Sequence, residues 1–202
     1  LTTFKNPITM EKFIKLSLYD QEGYYSNSNI IGSSGDFITS PEISQLFGEI
    51  LGLYILNYWQ KNIKKKFNLI ELGPGKGTLL LDIIKITEKF NNFNEAVSVK
   101  LIEKNTNLIN KQKTNFNKFN FYPKKISWHK DFKGNNIDPV ILIANEFFDC
   151  FPIRQFYKKN DIWYEKKIKF NSADQMLKIK DIEIKNQKTI NCIKSYNPLN
   201  TL

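Results

Sequence analysis

An open α/β fold on a parallel sheet is predicted by three features of this 202-residue sequence. Short apolar runs at residues 67–72, 97–102, 125–128 and 140–144 alternate with helical patterns at 78–90 and 107–119, which makes βαβ units. The first run breaks into Gly73-Pro74-Gly75-Lys76-Gly77, a turn that leads straight into a helix. After Pro152 the hydrophobic period shifts toward two. That shift predicts antiparallel strands at 154–157, 163–170 and 177–184, a β-rich insertion on the α/β core.

The elements follow in order. Residues 7–20 (PITMEKFIKLSLYD) read as a short amphipathic helix with Pro7 near its start and Ile8, Phe13, Ile14, Leu16 and Leu18 apolar. A polar, glycine-rich loop leads to Ser40-Pro41-Glu42, a helix-start signal: Ser40 can cap, Pro41 suits the first turn and Glu42 suits the positive dipole end. The helix that follows is expected to reach about residue 61, with Ile43, Leu46, Phe47, Ile50, Leu51, Tyr54 and Tyr58 as its buried stripe. The helix at 78–90 turns Leu79, Leu80, Ile83 and Ile84 inward. The run at 140–144 is wholly apolar, so a central strand is expected there. Residues 186–202 carry little pattern. Three segments result: an N-terminal helical extension with a loop (1–62), a ligand-binding core (63–152), and the β-rich insertion with its tail (153–202).

Composition narrows the class. Hydrophobic content of 41% and aromatic content of 14% argue against disorder. The net charge of +10 invites a nucleic-acid partner, but Arg154 is the only arginine among 30 basic residues. Phosphate recognition favours the guanidinium fork, so a solvated lysine-rich surface is the reading taken. No apolar run reaches the ~20 residues of a membrane span. The opening LTTFKNPITMEKF has no apolar core of a secretory signal. Cys150 and Cys192 stand far apart without CxxC spacing, which points to free thiols in a reducing compartment and to no zinc site. The expected location is the cytoplasm, or the mitochondrial matrix in a eukaryote.

The glycine turn decides the ligand. A triphosphate loop needs Ser or Thr after its lysine to hold Mg²⁺, and Lys76 is followed by Gly77. A dinucleotide fingerprint needs G-x-G-x-x-G, and this turn is one residue shorter. Glu71 stands two residues before Gly73 at the end of a strand. An acid followed by G-x-G-x-G resembles motif I of class I S-adenosylmethionine-dependent methyltransferases. The ligand's ammonium and sulfonium explain the carboxylate, and Gly73, Pro74, Gly75, Gly77 and Thr78 are read as its cradle. Glu103 ends the next strand, where an acid can accept hydrogen bonds from ribose hydroxyls.

Two further stretches, GDFITSPEISQLFGEILG at 35–52 and IANEFFDCFPIRQF at 143–156, flank this turn. With GYY at 23–25 and ELGPGKGTL at 71–79 they resemble the MidA-type family, over residues 7–164. Mitochondrial members of that family are complex I assembly factors that methylate an arginine on a complex I subunit. The resemblance implies a Rossmann-like class I methyltransferase fold, S-adenosyl-L-methionine as cofactor and an arginine-bearing protein substrate. Other amino-group methyltransferases place Asn or Asp and then two prolines and an aromatic after the fourth strand. Here Asn145 is followed by Glu146. The Asn145 carbonyl can orient a substrate nitrogen, and Glu146 can pair bidentately with a guanidinium. Asp149 can add a second charge. Asp36, Thr39 and Glu42 are read as a substrate wall, with Tyr24 and Tyr25 able to frame a cation. Trp128 and His129 are placed near the adenine, His129 as a structural residue, and Asp131 within reach of the adenine amino group.

Only four of the seven strands usual in this fold are visible, so a truncated chain is expected, its fourth strand open on one side. Three readings stand: an arginine-directed protein methyltransferase, a cofactor-binding assembly factor without turnover, and, resting on charge and on the Asn-x-x-Phe spacing of Asn145 and Phe148, a nucleic-acid methyltransferase.

Overall fold

In the computed structural model of the chain, residues 6–21, 23–24, 39–117, 126–134, 137–171 and 175–196 are described. They divide into two compact units, Ser28–Cys150 and a second made of Leu1–Asn27 with Phe151–Leu202.

The first unit is a parallel four-stranded sheet in the order β4-β3-β2-β5: β2 is Phe67–Leu72, β3 Val97–Ile102, β4 Ile126–His129 and β5 Val140–Ile143. Registers run Phe67↔Val97 to Leu72↔Ile102, Asn68↔Val140 to Glu71↔Ile143, and Val99↔Ile126 to Ile102↔His129. All six β2 residues are buried, as expected of a strand paired on both edges and covered on both faces. The expectation of a central 140–144 strand is corrected. Among the described residues β5 ends the sheet, and Val140 and Leu142 stay 38% and 42% exposed. An uninterrupted apolar sequence does not distinguish a strand that is covered from one whose cover lies outside the described residues.

Helix α4 (Thr78–Thr87) buries Leu79, Leu80, Ile83 and Ile84, as its spacing predicts. It stops earlier than residue 90, because Thr87 Oγ1 turns back to the Ile83 and Ile84 carbonyls at 2.8 and 3.2 Å. The polar stretch after it forms α5 (Asn91–Ala96), in which Asn94 Nδ2 donates to the carbonyls of Thr87 and Glu88. Phe93 of α5 packs edge-on against Trp59 and lies 5.5 Å from Phe67, forming an aromatic wedge under the sheet. Helix α6 (Thr106–Asn117) follows β3.

The helix expected from Ser40 to about residue 61 is two helices, α2 (Ser40–Ile43) and α3 (Gln45–Tyr58), broken by extended backbone at Ser44. A wider π-type turn, Trp59–Ile63, closes α3. The Ser40 side chain does not cap α2, whose cap position is Thr39. The buried face of α3 also differs from expectation. Ile43, Leu46, Phe47, Ile50, Tyr54 and Tyr58 face outward, Ile50 at 59% and Tyr54 at 63% exposure. The packed side is Gly48, Gly52, Ile55 and Leu56, joined by half-buried Leu51. A Cβ on Gly48 would lie 2.6 Å from Asp82 Cβ, and one on Gly52 2.6 Å from Ile86 Cγ2. The glycines thus let α3 lie directly on α4, and backbone proximity outweighs the larger apolar stripe.

The second unit is antiparallel. It contains β1 (Ile8–Thr9), α1 (Met10–Ile14) running into a π-type turn (Lys15–Tyr19), β6 (Gln155–Lys159), β7 (Ile162–Asn171), β8 (Met176–Glu183) and α7 (Gln187–Ser195). β7 is the spine. β8 pairs with its residues 164–171, β6 with 162–166 and β1 with 167–168, so β6 and β1 share one edge and β8 takes the other. The predicted insertion strands are present. The predicted 7–20 helix begins only at Met10, where Thr9 Oγ1 accepts from Lys12 N at 3.1 Å, and Ile8–Thr9 joins the sheet instead. Residues 6–24 therefore fold with the insertion and residues 39–62 with the parallel sheet, a different division from the 1–62, 63–152 and 153–202 segments. Helix α7, unforeseen in the tail, is capped by Asn186 Oδ1 accepting from Thr189 N.

Glu165 is buried in this unit, with Arg154 Nε at 2.6 Å and Lys167 Nζ at 3.6 Å. Arg154→Ala leaves that carboxylate with only the longer lysine contact. A loss of about 2 kcal/mol is expected, discounted for the partly exposed guanidinium, and should appear as a lower denaturation midpoint. An unchanged midpoint would show that Lys167 alone satisfies Glu165.

Candidate functional site

The site is built where β2 stops. Gly73, Gly75 and Gly77 take φ values of 63°, 55° and 81°, the left-handed region that glycine enters without strain. At Gly73 a side chain is also excluded by space, since a Cβ would lie 2.6 Å from Phe147 Cδ2. The turn is tied at both ends: Gly73 N donates to the Ile102 carbonyl at 3.0 Å and Gly77 N to the Pro74 carbonyl at 2.7 Å. Gly77 then serves as the N-cap position of α4.

Helix α6 holds this turn from below. Gln112, fully buried, donates from Nε2 to the Gly75 carbonyl at 2.7 Å, and its Oε1 accepts from Trp128 Nε1 at 2.9 Å. Asn115 Nδ2 donates to the Lys76 carbonyl at 3.1 Å. Phe116 lies under Gly77 and meets Trp128 edge-on. None of these α6 contacts was anticipated from the sequence.

A pocket of about 100 Å³ opens above the turn. One wall is Glu71, Gly73, Pro74, Gly75, Lys76 and Thr78; the other is Thr39, Pro41, Glu42, Asn145 and Glu146. Nine of the sequence-nominated residues therefore meet in one place: Thr39, Glu42, Glu71, Gly73, Pro74, Gly75, Thr78, Asn145 and Glu146. Glu71 is 3% exposed, and its Oε2 is buried without a hydrogen-bond partner. Burial pushes its carboxyl up to about 8. A buried, unpaired carboxyl oxygen on a pocket wall suits a cationic or hydrogen-donating ligand group, which is the chemistry of the methionyl end of S-adenosylmethionine. The residues present fit that group. The pocket holds the smaller end of such a ligand rather than all of it.

The α2 wall is tethered to both sheet ends. Glu42 Oε1 accepts from Thr78 Oγ1 at 2.5 Å, and its Oε2 accepts from Lys76 Nζ at 3.3 Å. Glu146, at φ 46°, accepts from both N and Oγ of Ser40 at 3.3 and 3.4 Å. Glu146 thus supplies the cap that the Ser40 side chain was expected to provide for α2.

The other nominated residues lie elsewhere. Glu103 does not line this pocket; it follows β3 directly, accepts from Asn105 N at 2.9 Å, and has its carboxyl raised from the ordinary value by burial. Asp131 is exposed, with Lys104 Nζ at 3.5 Å. His129 shares a 2.9 Å hydrogen bond with Ser127 Oγ and does not line the pocket. Trp128 is committed to Gln112 and Phe116. Asp149 is exposed and outside the pocket lining. Tyr24 is half-buried in the second unit, while Tyr25 and Asp36 lie outside the described residues. Among the described residues no cluster of three metal-ligating side chains occurs, and no helix is long and apolar enough to cross a membrane.

A parallel sheet, an acid closing its buried strand, a three-glycine turn and a second acid directly after the adjacent strand define an open α/β fold of the nucleoside-binding kind. Within that class the chain belongs to the family described as "Putative S-adenosyl-L-methionine-dependent methyltransferase", which matches residues 50–200. Its relatives include the mitochondrial protein arginine methyltransferase NDUFAF7 of Bos taurus, 35% identical over 180 residues, covering 79% of this chain and 41% of that protein. The Drosophila melanogaster homolog is 33% identical over 187 residues, covering 83% of this chain and 43% of the relative. The chain thus spans about two fifths of the length of the curated relatives it matches. A crystal structure of a Burkholderia thailandensis protein bound to S-adenosyl-homocysteine superimposes with a TM-score of 0.72 at 18% identity, over 95% of this chain and 49% of that one. The MidA-type resemblance and the class I methyltransferase fold are both borne out.

Proposed function

We propose that this chain binds S-adenosyl-L-methionine at the β2 and β5 ends and takes part in methyl transfer to an arginine side chain of a partner protein. The observation that carries the reading is the buried Glu71 carboxyl, unpartnered at Oε2, on the wall of a pocket floored by the glycine turn. Family membership and the relatives' name, protein arginine methyltransferase, support the reaction class. S-adenosylmethionine supplies a methyl group on a sulfonium, a leaving group that needs alignment more than activation. Glu71 meets the cationic end of that ligand. Asn145 orients the acceptor nitrogen, and Glu146 localises the guanidinium charge by exchanging its Ser40 contacts for the substrate. Asp149 adds charge at the rim, and Glu103 and Asp131 serve the nucleoside end. Thr39 and Glu42 belong to the acceptor wall in this reading. The partner is a respiratory complex I subunit or its bacterial counterpart, met in the mitochondrial matrix or the cytoplasm. A nucleic-acid acceptor is disfavoured by the lysine-dominated charge.

A second reading is cofactor binding without turnover. One experiment separates the two. The chain is incubated with methyl-labelled S-adenosylmethionine and host proteins, and methylarginine is sought by mass spectrometry. S-adenosyl-homocysteine affinity is measured in parallel. Methylarginine is expected, falling at least about tenfold in Glu146→Gln while the affinity stays constant. Binding without methylarginine selects the second reading. No binding at all removes both.

A further inference from the structure

Gln112 lies on α6, outside every motif that identified the site, yet it joins the glycine turn to the end of β4. It is fully buried, and both ends of its amide are satisfied, by the Gly75 carbonyl at 2.7 Å and the Trp128 indole N–H at 2.9 Å. Asn115, one turn on, holds the next carbonyl, Lys76, at 3.1 Å. The backbone geometry gives these bonds a consequence. In a trans peptide the C=O of one residue and the N–H of the next point to opposite edges. No cis peptide occurs among the described residues. With the Gly75 carbonyl tied down to α6, the Lys76 N–H is turned away from α6, and Gly75 and Lys76 are pocket-lining residues. A loop rich in positive-φ glycine has many alternative peptide orientations, so an external clamp is needed to select one. The selected donor also needs no reorganisation when a ligand arrives.

We propose that Gln112, assisted by Asn115, is a positioning residue for cofactor binding: it fixes the Gly75–Lys76 peptide so that the Lys76 N–H is presented to the ligand, and it links that peptide to Trp128 at the end of β4. The inference rests on the S-adenosylmethionine reading above. Gln112 touches no ligand itself; it acts through the turn. A merely structural glutamine would influence stability and leave the affinity of the folded protein unchanged.

Binding of S-adenosyl-homocysteine is measured by calorimetry on the full chain, well below each variant's melting temperature, with circular dichroism confirming the fold. Gln112→Glu keeps the side-chain volume and the acceptor for Trp128 but replaces the donor to Gly75 with a second acceptor. Gln112→Leu removes both bonds. Asn115→Ala, at a half-buried position, removes only the support of the Lys76 carbonyl. Ile55→Val, in the α3 core, is the control that lowers stability without touching the turn. The expected result is affinity weaker by about tenfold or more in both Gln112 variants and by about threefold in Asn115→Ala, with Ile55→Val binding like the wild type. Wild-type affinity, within about twofold, in the folded Gln112 variants overturns the inference and leaves cofactor binding intact. If neither Gln112 variant folds, unchanged affinity in Asn115→Ala overturns it. If the wild type itself does not bind S-adenosyl-homocysteine, the functional reading falls and the inference falls with it.

Discussion

Valine in place of Gly52 is expected to lower the stability of the Ser28–Cys150 unit by about 3 kcal/mol, although valine has the better helix propensity. The added Cβ alone would lie 2.6 Å from Ile86 Cγ2 and within 3.1 to 3.2 Å of the Ile83 backbone. Ile86 can swing aside, but the Ile83 backbone is part of α4 and cannot. The two helices must therefore separate, and Ile55 and Leu56 lose contact with the core beneath them. Ile50→Ser, by contrast, alters a side chain that is 59% exposed and should change stability by no more than about 0.5 kcal/mol. Urea denaturation of the two variants gives opposite rankings for the two possible orientations of α3. A tolerated Gly52→Val with a costly Ile50→Ser would mean that the apolar stripe, not the glycine face, packs on α4.

Glu71 should make the same unit less stable as pH rises. Burial holds its folded-state carboxyl at about 8, well above the ordinary 4.5. Below the ordinary value both folded and unfolded chains carry the proton, and the residue contributes no pH slope. Between about 4.5 and 8 the unfolded chain has released the proton and the folded one has not. The unfolded state therefore binds fewer protons, and folding stability falls by on the order of 1 kcal/mol per pH unit before levelling off. Glu71→Gln removes this contribution. Its denaturation midpoint should gain on the wild type from pH 5 to pH 8, and parallel midpoints would show that Glu71 is solvated in the folded protein. A cationic ligand group against Oε2 favours the ionised form, so binding in the neutral range should release close to one proton. Calorimetry in buffers of different ionisation enthalpy reads that number directly.

Features set by local pattern were legible in the sequence. The β2–turn–α4 unit follows from an apolar run, three glycines and a leucine-rich helix, and the residues that identify the ligand lie within a few positions of each other. β6 to β8 announced themselves by their period of two. The side of α3 that faces inward was not legible, because apolar residues cover most of its circumference and the decisive signal is the absence of a side chain at Gly48 and Gly52. Helices α5 and α7 escaped notice because Asn94 and Asn186, rather than apolar faces, anchor their ends. The remaining misses are long-range pairings. Gln112 meets Gly75 from 37 positions away, Glu146 meets Ser40 from 106, and Ile8 is in register with Ile168. Local propensity carries no information at such separations. Asn145 and Glu146 were nominated by family resemblance, and Glu146 turned out to hold α2 as well.

The exposed apolar positions of β5 have a colloidal consequence. Val140 and Leu142, exposed on the strand that ends the described sheet, present an apolar edge on which copies can meet. The net charge of +10 keeps copies apart at low ionic strength. Salt shortens the range of that repulsion to about 10 Å at 0.1 M and leaves the apolar edge untouched. Purified protein should therefore stay dispersed in dilute buffer and begin to self-associate as salt is added, a behaviour opposite to that of proteins held together by surface ion pairs.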